Sequence, residues 1–135
     1  MNKSVFSFGL VAMLATSLVA GSRADARDIG DPNNYGCSRD AQIIASRSVR
    51  VRAYGHDETL TVQMRWSRQC GGRWVRAYIP RGTNLYLKDR AGRRYVNYTA
   101  QVHGWNYSNM ENSTQQLQAC VQHPMDYREL CTDFR

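Results

Sequence analysis

Between residues 59 and 66 the chain reads TLTVQMRW, and its polarity alternates without a break. Leu60, Val62, Met64 and Trp66 fall on one side of an extended backbone, and Thr59, Thr61, Gln63 and Arg65 on the other. A period of two is the pattern of a strand with one buried and one wet face; a helix would scatter the same apolar residues around its axis.

Shorter runs of β type surround this one. AQIIASRSVRVRAY (41–54) is β-branched and alternates from Val49, and GHDE (55–58) reads as the turn after it. SRQCGG (67–72) is a loop, RWVRAYI (73–79) a strand stopped by Pro80, and TNLYLK (83–88) another, closed by a turn at 89–92. RRYVNYTAQVH (93–103) is the natural hairpin partner of TNLYLK. STQQLQACVQ (113–122) is ambiguous, since Gln and Ala suit a helix. Leu117, Ala119 and Val121 alternate, however, so it is read as a strand on which YRELCTDF (127–134) folds back. RDIGDPNNYG (27–36) is turn-rich and extended. Seven or so short strands separated by turn residues predict an all-β domain, a small disulfide-stapled sandwich or barrel.

The N-terminus carries an address. Met1-Asn2-Lys3 is basic, Val5 to Ala20 is uncharged and mostly apolar, and Ala24-Asp25-Ala26 fits a small-x-small cleavage site. This is the pattern of a secretory signal peptide over residues 1–26. An anchoring helix needs about 20 apolar residues, whereas this run is shorter and is broken by Ser7, Gly9, Thr16 and Ser17. The expected product is a single exported domain, 27–135, secreted or periplasmic, without membrane insertion after cleavage.

An exported chain meets an oxidising compartment, and Cys37, Cys70, Cys120 and Cys131 are even in number, so two disulfides are expected. Of the three possible connectivities, Cys37–Cys70 with Cys120–Cys131 is preferred because the second pair is close in sequence. The cysteines and the three histidines show neither CxxC nor HxxxH spacing, so no metal or other cofactor is expected.

Charge is concentrated in the middle. Residues 41–100 hold twelve basic groups against three acidic ones, and both flanks of the exported domain are slightly acidic. Nearly all the cations are arginines, which bind phosphate and carboxylate in bidentate fashion and stack on rings. Arg50, Arg52, Arg65 and Arg76, with Tyr78, are the candidate anion-binding residues. The plainer reading is that these arginines are solvated along exposed strand faces. Trp66, on the face of Leu60 and Val62, is expected in the core, and Trp74 is expected to pack on the Cys70 bridge. In RWVRAYI the alternation leaves Trp74, Arg76 and Tyr78 on one face and Val75, Ala77 and Ile79 on the other.

Several of these pieces resemble the bacterial domain-of-unknown-function family 2690. They are Asp31-Pro32, Gly36-Cys37, Asp40-Ala41, MRWSRQCGGRWVR (64–76), Met110, Ala119-Cys120 and Cys131-Thr132. Members often carry a further cysteine ahead of the Asp-Pro pair, which this chain lacks. The resemblance implies a bacterial host, export, disulfides and a β-rich domain of the stand-alone form. It brings no catalytic residues.

The functional expectation is a non-catalytic module binding an anionic envelope polymer or a protein partner. Two alternatives remain. A ribonuclease-like hydrolase would draw an acid and a base from Glu58, Glu111, His56, His103 and His123 and a phosphate-binding cation from Arg65 or Arg76, although no motif groups them. An inhibitor of an acidic extracellular enzyme would also suit the positive charge.

Overall fold

The computed structural model describes residues 28–53, 55–125 and 128–135; the signal-peptide segment lies outside the described residues. These residues form ten strands: β1 (Asp28–Gly30), β2 (Gln42–Ala53), β3 (His56–Ser67), β4 (Gly72–Ile79), β5 (Asn84–Lys88), β6 (Arg94–Thr99), β7 (Gly104–Tyr107), β8 (Met110–Glu111), β9 (Gln118–Gln122) and β10 (Glu129–Cys131). One sheet runs β1-β8-β4-β3-β2, with β7 also paired to β4; the other runs β10-β9-β5-β6. All pairings are antiparallel. The domain is therefore all-β, in two open sheets rather than a closed barrel.

The alternation in β3 decides which way the larger sheet faces. Leu60, Val62 and Met64 are buried, and Val75, Ala77 and Ile79 of β4 lie against them. Leu85 and Leu87 of β5, Leu117, and Ala119 and Val121 of β9 complete this core from the second sheet. A second, smaller cluster lies at one end of β4: Cys37, Trp74 and Met110, with Ile29, Ala41 and Cys70 against them. Gly72 begins β4 at a point of close approach, where a Cβ would lie 3.1 Å from both Ile29 and Met110.

Both bridges form in the preferred pairing, Cys37–Cys70 and Cys120–Cys131. The second joins directly opposed positions of β9 and β10, so it staples the C-terminal hairpin. The first ties the 3-10 turn Cys37–Asp40 to the loop between β3 and β4. Chain-entropy reasoning over separations of 33 and 11 residues gives roughly 3.7 and 2.8 kcal/mol of stabilisation.

Three features depart from the sequence expectation. Of the segment 55–58 only Gly55 is turn: His56 pairs with Ala53, so His56–Glu58 already belong to β3. Gly55, at φ 82°, supplies the left-handed conformation such a tight reversal needs. Strands β1, β7 and β8 were not expected; they span only two to four residues each and owe their conformation to the edges they pair with. Trp66 is half-buried and belongs to neither core cluster. Its direct cross-strand neighbour is Arg73, whose pairing with Glu111 makes that end of the sheet polar inside.

Candidate anion-binding face

Strand geometry places the candidate residues. Pairing sets Arg50 opposite Thr59, Arg52 opposite Asp57, Gln63 opposite Arg76, Arg65 opposite Trp74, and Thr61 opposite Tyr78. Since Leu60, Val62 and Met64 point into the core, these alternate positions all lie on the outer face of the larger sheet. Arg50, Arg52, Arg65, Arg76 and Tyr78 thus share one surface. Strand β7 extends it, with Trp105 opposite Tyr78 and Tyr107 opposite Arg76.

Charge on this face is one-sided. Among the outward-facing residues of β2, β3, β4 and β7 the one carboxylate is Asp57, 3.3 Å from Arg52 in an exposed pair that contributes little in water. The Arg76 guanidinium lies 3.8 Å from the Trp105 ring centre, and its Nη1 donates to Gln63 Oε1 at 3.4 Å. Burial lowers the Arg76 pKa from the ordinary arginine value, and the positive charge of Arg65 lowers it further. Arg65 sits 6.0 Å from the Trp74 ring, and its Nε is buried without a hydrogen-bond acceptor. Two neighbouring guanidiniums therefore share a half-buried position that an anion would stabilise.

Aromatic rings flank that pair. Tyr78 meets Trp105 edge-on at 5.5 Å and His103 at 5.9 Å. Asn106 positions Trp105: its side-chain amide donates to the carbonyls of Val102 and Gly104 and accepts from the Gln101 N–H. Trp74, by contrast, is only 2% exposed beneath the Cys37–Cys70 bridge. The exposed platform is Trp105, Tyr107 and Tyr78. Sequence reading missed its β7 part, although Gly104-Trp105-Asn106-Tyr107 carries a short period of two.

The residues considered for catalysis do not converge. Glu111 is fully buried and bonded to Arg73. His56 is exposed at the β2–β3 hairpin, and His123 is buried beyond β9 of the other sheet. Ser67 donates its hydroxyl hydrogen to Asp40 and accepts from the Cys70 N–H. Glu58 and His103 are brought together, the buried carboxylate against Nε2 of a half-exposed imidazole.

Comparison with models of known protein families, with curated proteins and with solved structures finds no match. The functional reading rests on the geometry of this face alone.

Proposed function

We propose that the chain is an exported, non-catalytic binding module that holds an anionic polymer on the outer face of its larger sheet. The supporting observation is the Arg65–Arg76 pair, half-buried and next to exposed rings, on a face whose strands carry Asp57, paired with Arg52, as their one outward carboxylate. Positive charge without acid partners attracts polyanions and speeds encounter. Export and the resemblance to family 2690 belong to this proposal; two disulfides suit an oxidising compartment, and among the described residues no helix is long and apolar enough to cross a membrane.

The test is retention on immobilised heparin as a function of salt. Binding at about 50 mM salt, where exposed charges are weakly screened, should fall steeply as salt rises. The double variant Arg65→Gln with Arg76→Gln should keep the melting temperature and lose retention. Wild-type protein that flows through at low salt refutes the proposal. The hydrolase alternative has one observation in its favour, the Glu58–His103 pair. It requires turnover of RNA that His103→Gln abolishes, whereas a binding module shows no turnover.

A further inference from the structure

We infer that the polymer held on this face is single-stranded nucleic acid, with phosphates at Arg65 and Arg76 and bases stacked on Trp105, Tyr107 and Tyr78. The inference rests on the anion-binding reading and adds the ligand's chemistry to it.

The exposed rings carry the first argument. Trp105 is 43% exposed, Tyr78 38% and Tyr107 37%, all on the face that holds the arginines. Charge alone would bind any polyanion and leave the exposed parts of these three rings in water. A base stacks on such rings without needing a specific edge, while guanidiniums hold the linking phosphates. A hollow of about 280 Å³ adjoins Trp105 and Tyr107 and reaches Val102 and Tyr98, with Asp31 the one carboxylate lining it.

Spacing favours a single strand. Positions 105 and 107 of β7 point the same way and stand about 7 Å apart along the strand. That is about twice the 3.4 Å rise between stacked bases of a duplex strand. Successive bases can lie on the two rings only if the strand is drawn out and unpaired. A duplex would present phosphates to the arginines and hide its base faces from the rings.

The hydrogen-bonding groups of the face argue against a glycan. Sugar hydroxyls are read by directed polar contacts, and several of the polar side chains here are engaged with one another. Ser48 bonds Thr61 at 2.8 Å, Asn33 donates to the Tyr107 hydroxyl at 2.7 Å, and Gln63 accepts from Arg76. Stacking and charge remain available, which also predicts tolerance of base sequence.

Three probes at about 50 mM salt separate the possibilities: a fluorescein-labelled twelve-nucleotide oligo-dT, an abasic strand with the same number of phosphates, and heparin. Fluorescence anisotropy should show oligo-dT binding about tenfold tighter than the abasic strand. Trp105→Ala should shrink that difference severalfold, weakening oligo-dT binding more than abasic-strand or heparin binding. Should Trp105→Ala fail to fold, Tyr107→Leu gives the same comparison. Arg65→Gln with Arg76→Gln should weaken all three. Equal affinity for oligo-dT and the abasic strand overturns the base-stacking inference while the polyanion reading stands. Tighter binding of heparin, undiminished by Trp105→Ala, assigns the face to an acidic glycan. Absence of all binding removes both readings.

Discussion

Replacing Arg73 by methionine should be among the most damaging single changes in this domain. The Arg73 side chain is 10% exposed and that of Glu111 is fully buried, with Arg73 Nε 2.6 Å from Glu111 Oε1. Arg73 also donates to the backbone carbonyl of Arg135 at 2.7 Å and to the carbonyl and hydroxyl of Ser113 at 3.1 Å. One side chain thereby ties β4, β8 and the C-terminal residue together. Methionine keeps much of the apolar stem but leaves Glu111, among the described residues, the Ser113 N–H at 2.7 Å as its remaining donor. Removing one partner of a buried pair costs about 3–5 kcal/mol, against a total stability of about 5–15 kcal/mol for a domain of this kind. At about 4 °C or more per kcal/mol, the melting temperature should fall by at least about 12 °C. Urea unfolding of Arg73→Met, Glu111→Leu and the double variant measures this directly. The double variant should recover most of the loss, because exchanging a whole buried pair for apolar groups is often neutral. A cost below about 1 kcal/mol for Arg73→Met, or a double variant no better than the sum of the singles, refutes the assignment of a buried, uncompensated carboxylate.

Trp74→Ala should destabilise by about 3–5 kcal/mol as a large-to-small change in a closed cluster; an unchanged thermal transition would place the ring outside that cluster. Non-reducing peptide mapping should recover Cys37 with Cys70 and Cys120 with Cys131, and a peptide joining Cys37 to Cys120 would contradict the hairpin of β9 and β10. Acid should weaken the fold through three carboxylates. Asp40 is held below its usual value by the Ser67 hydroxyl and the Gln69 N–H, and Asp89 by the Tyr95 hydroxyl and the Arg93 N–H. Burial raises Glu129, but hydrogen bonds from Lys88 and Tyr86 and the charges of Lys88 and Arg94 outweigh it and leave it lowered. A lowered folded-state pKa gives stability that is complete above the unfolded value and is lost as pH falls through the folded one. Unfolding free energy should therefore be level above about pH 5 and decline below about pH 4; a flat profile down to pH 2 would refute these contacts.

The sequence by itself determined the class of fold and the strands that carry the main core; it preferred one of three cysteine pairings, and the structure decided for it. Leu60, Val62 and Met64 alternate with polar residues, and burying one side of such a run requires a sheet whatever the partner. Seven expected strands correspond to β2 to β6, β9 and β10. The same alternation made the arginine face legible, because the outward positions of β3 and β4 follow once the inward ones are known. Tertiary structure alone decided the remainder. Strands β1 and β8 are too short for periodicity to register, β7 carries it over only four residues, and the edges of β4 and β8 impose their conformation. Trp66 follows the pattern of β3 yet stops at half-burial, because the space beyond it belongs to Arg73 and Glu111, 38 residues apart in sequence. Trp105 reaches Arg76 and Tyr78 only because β7 returns along β4. Local alternation specifies which side of a strand is wet; which side chains meet there depends on strand order, and strand order is set by contacts between residues distant in the chain.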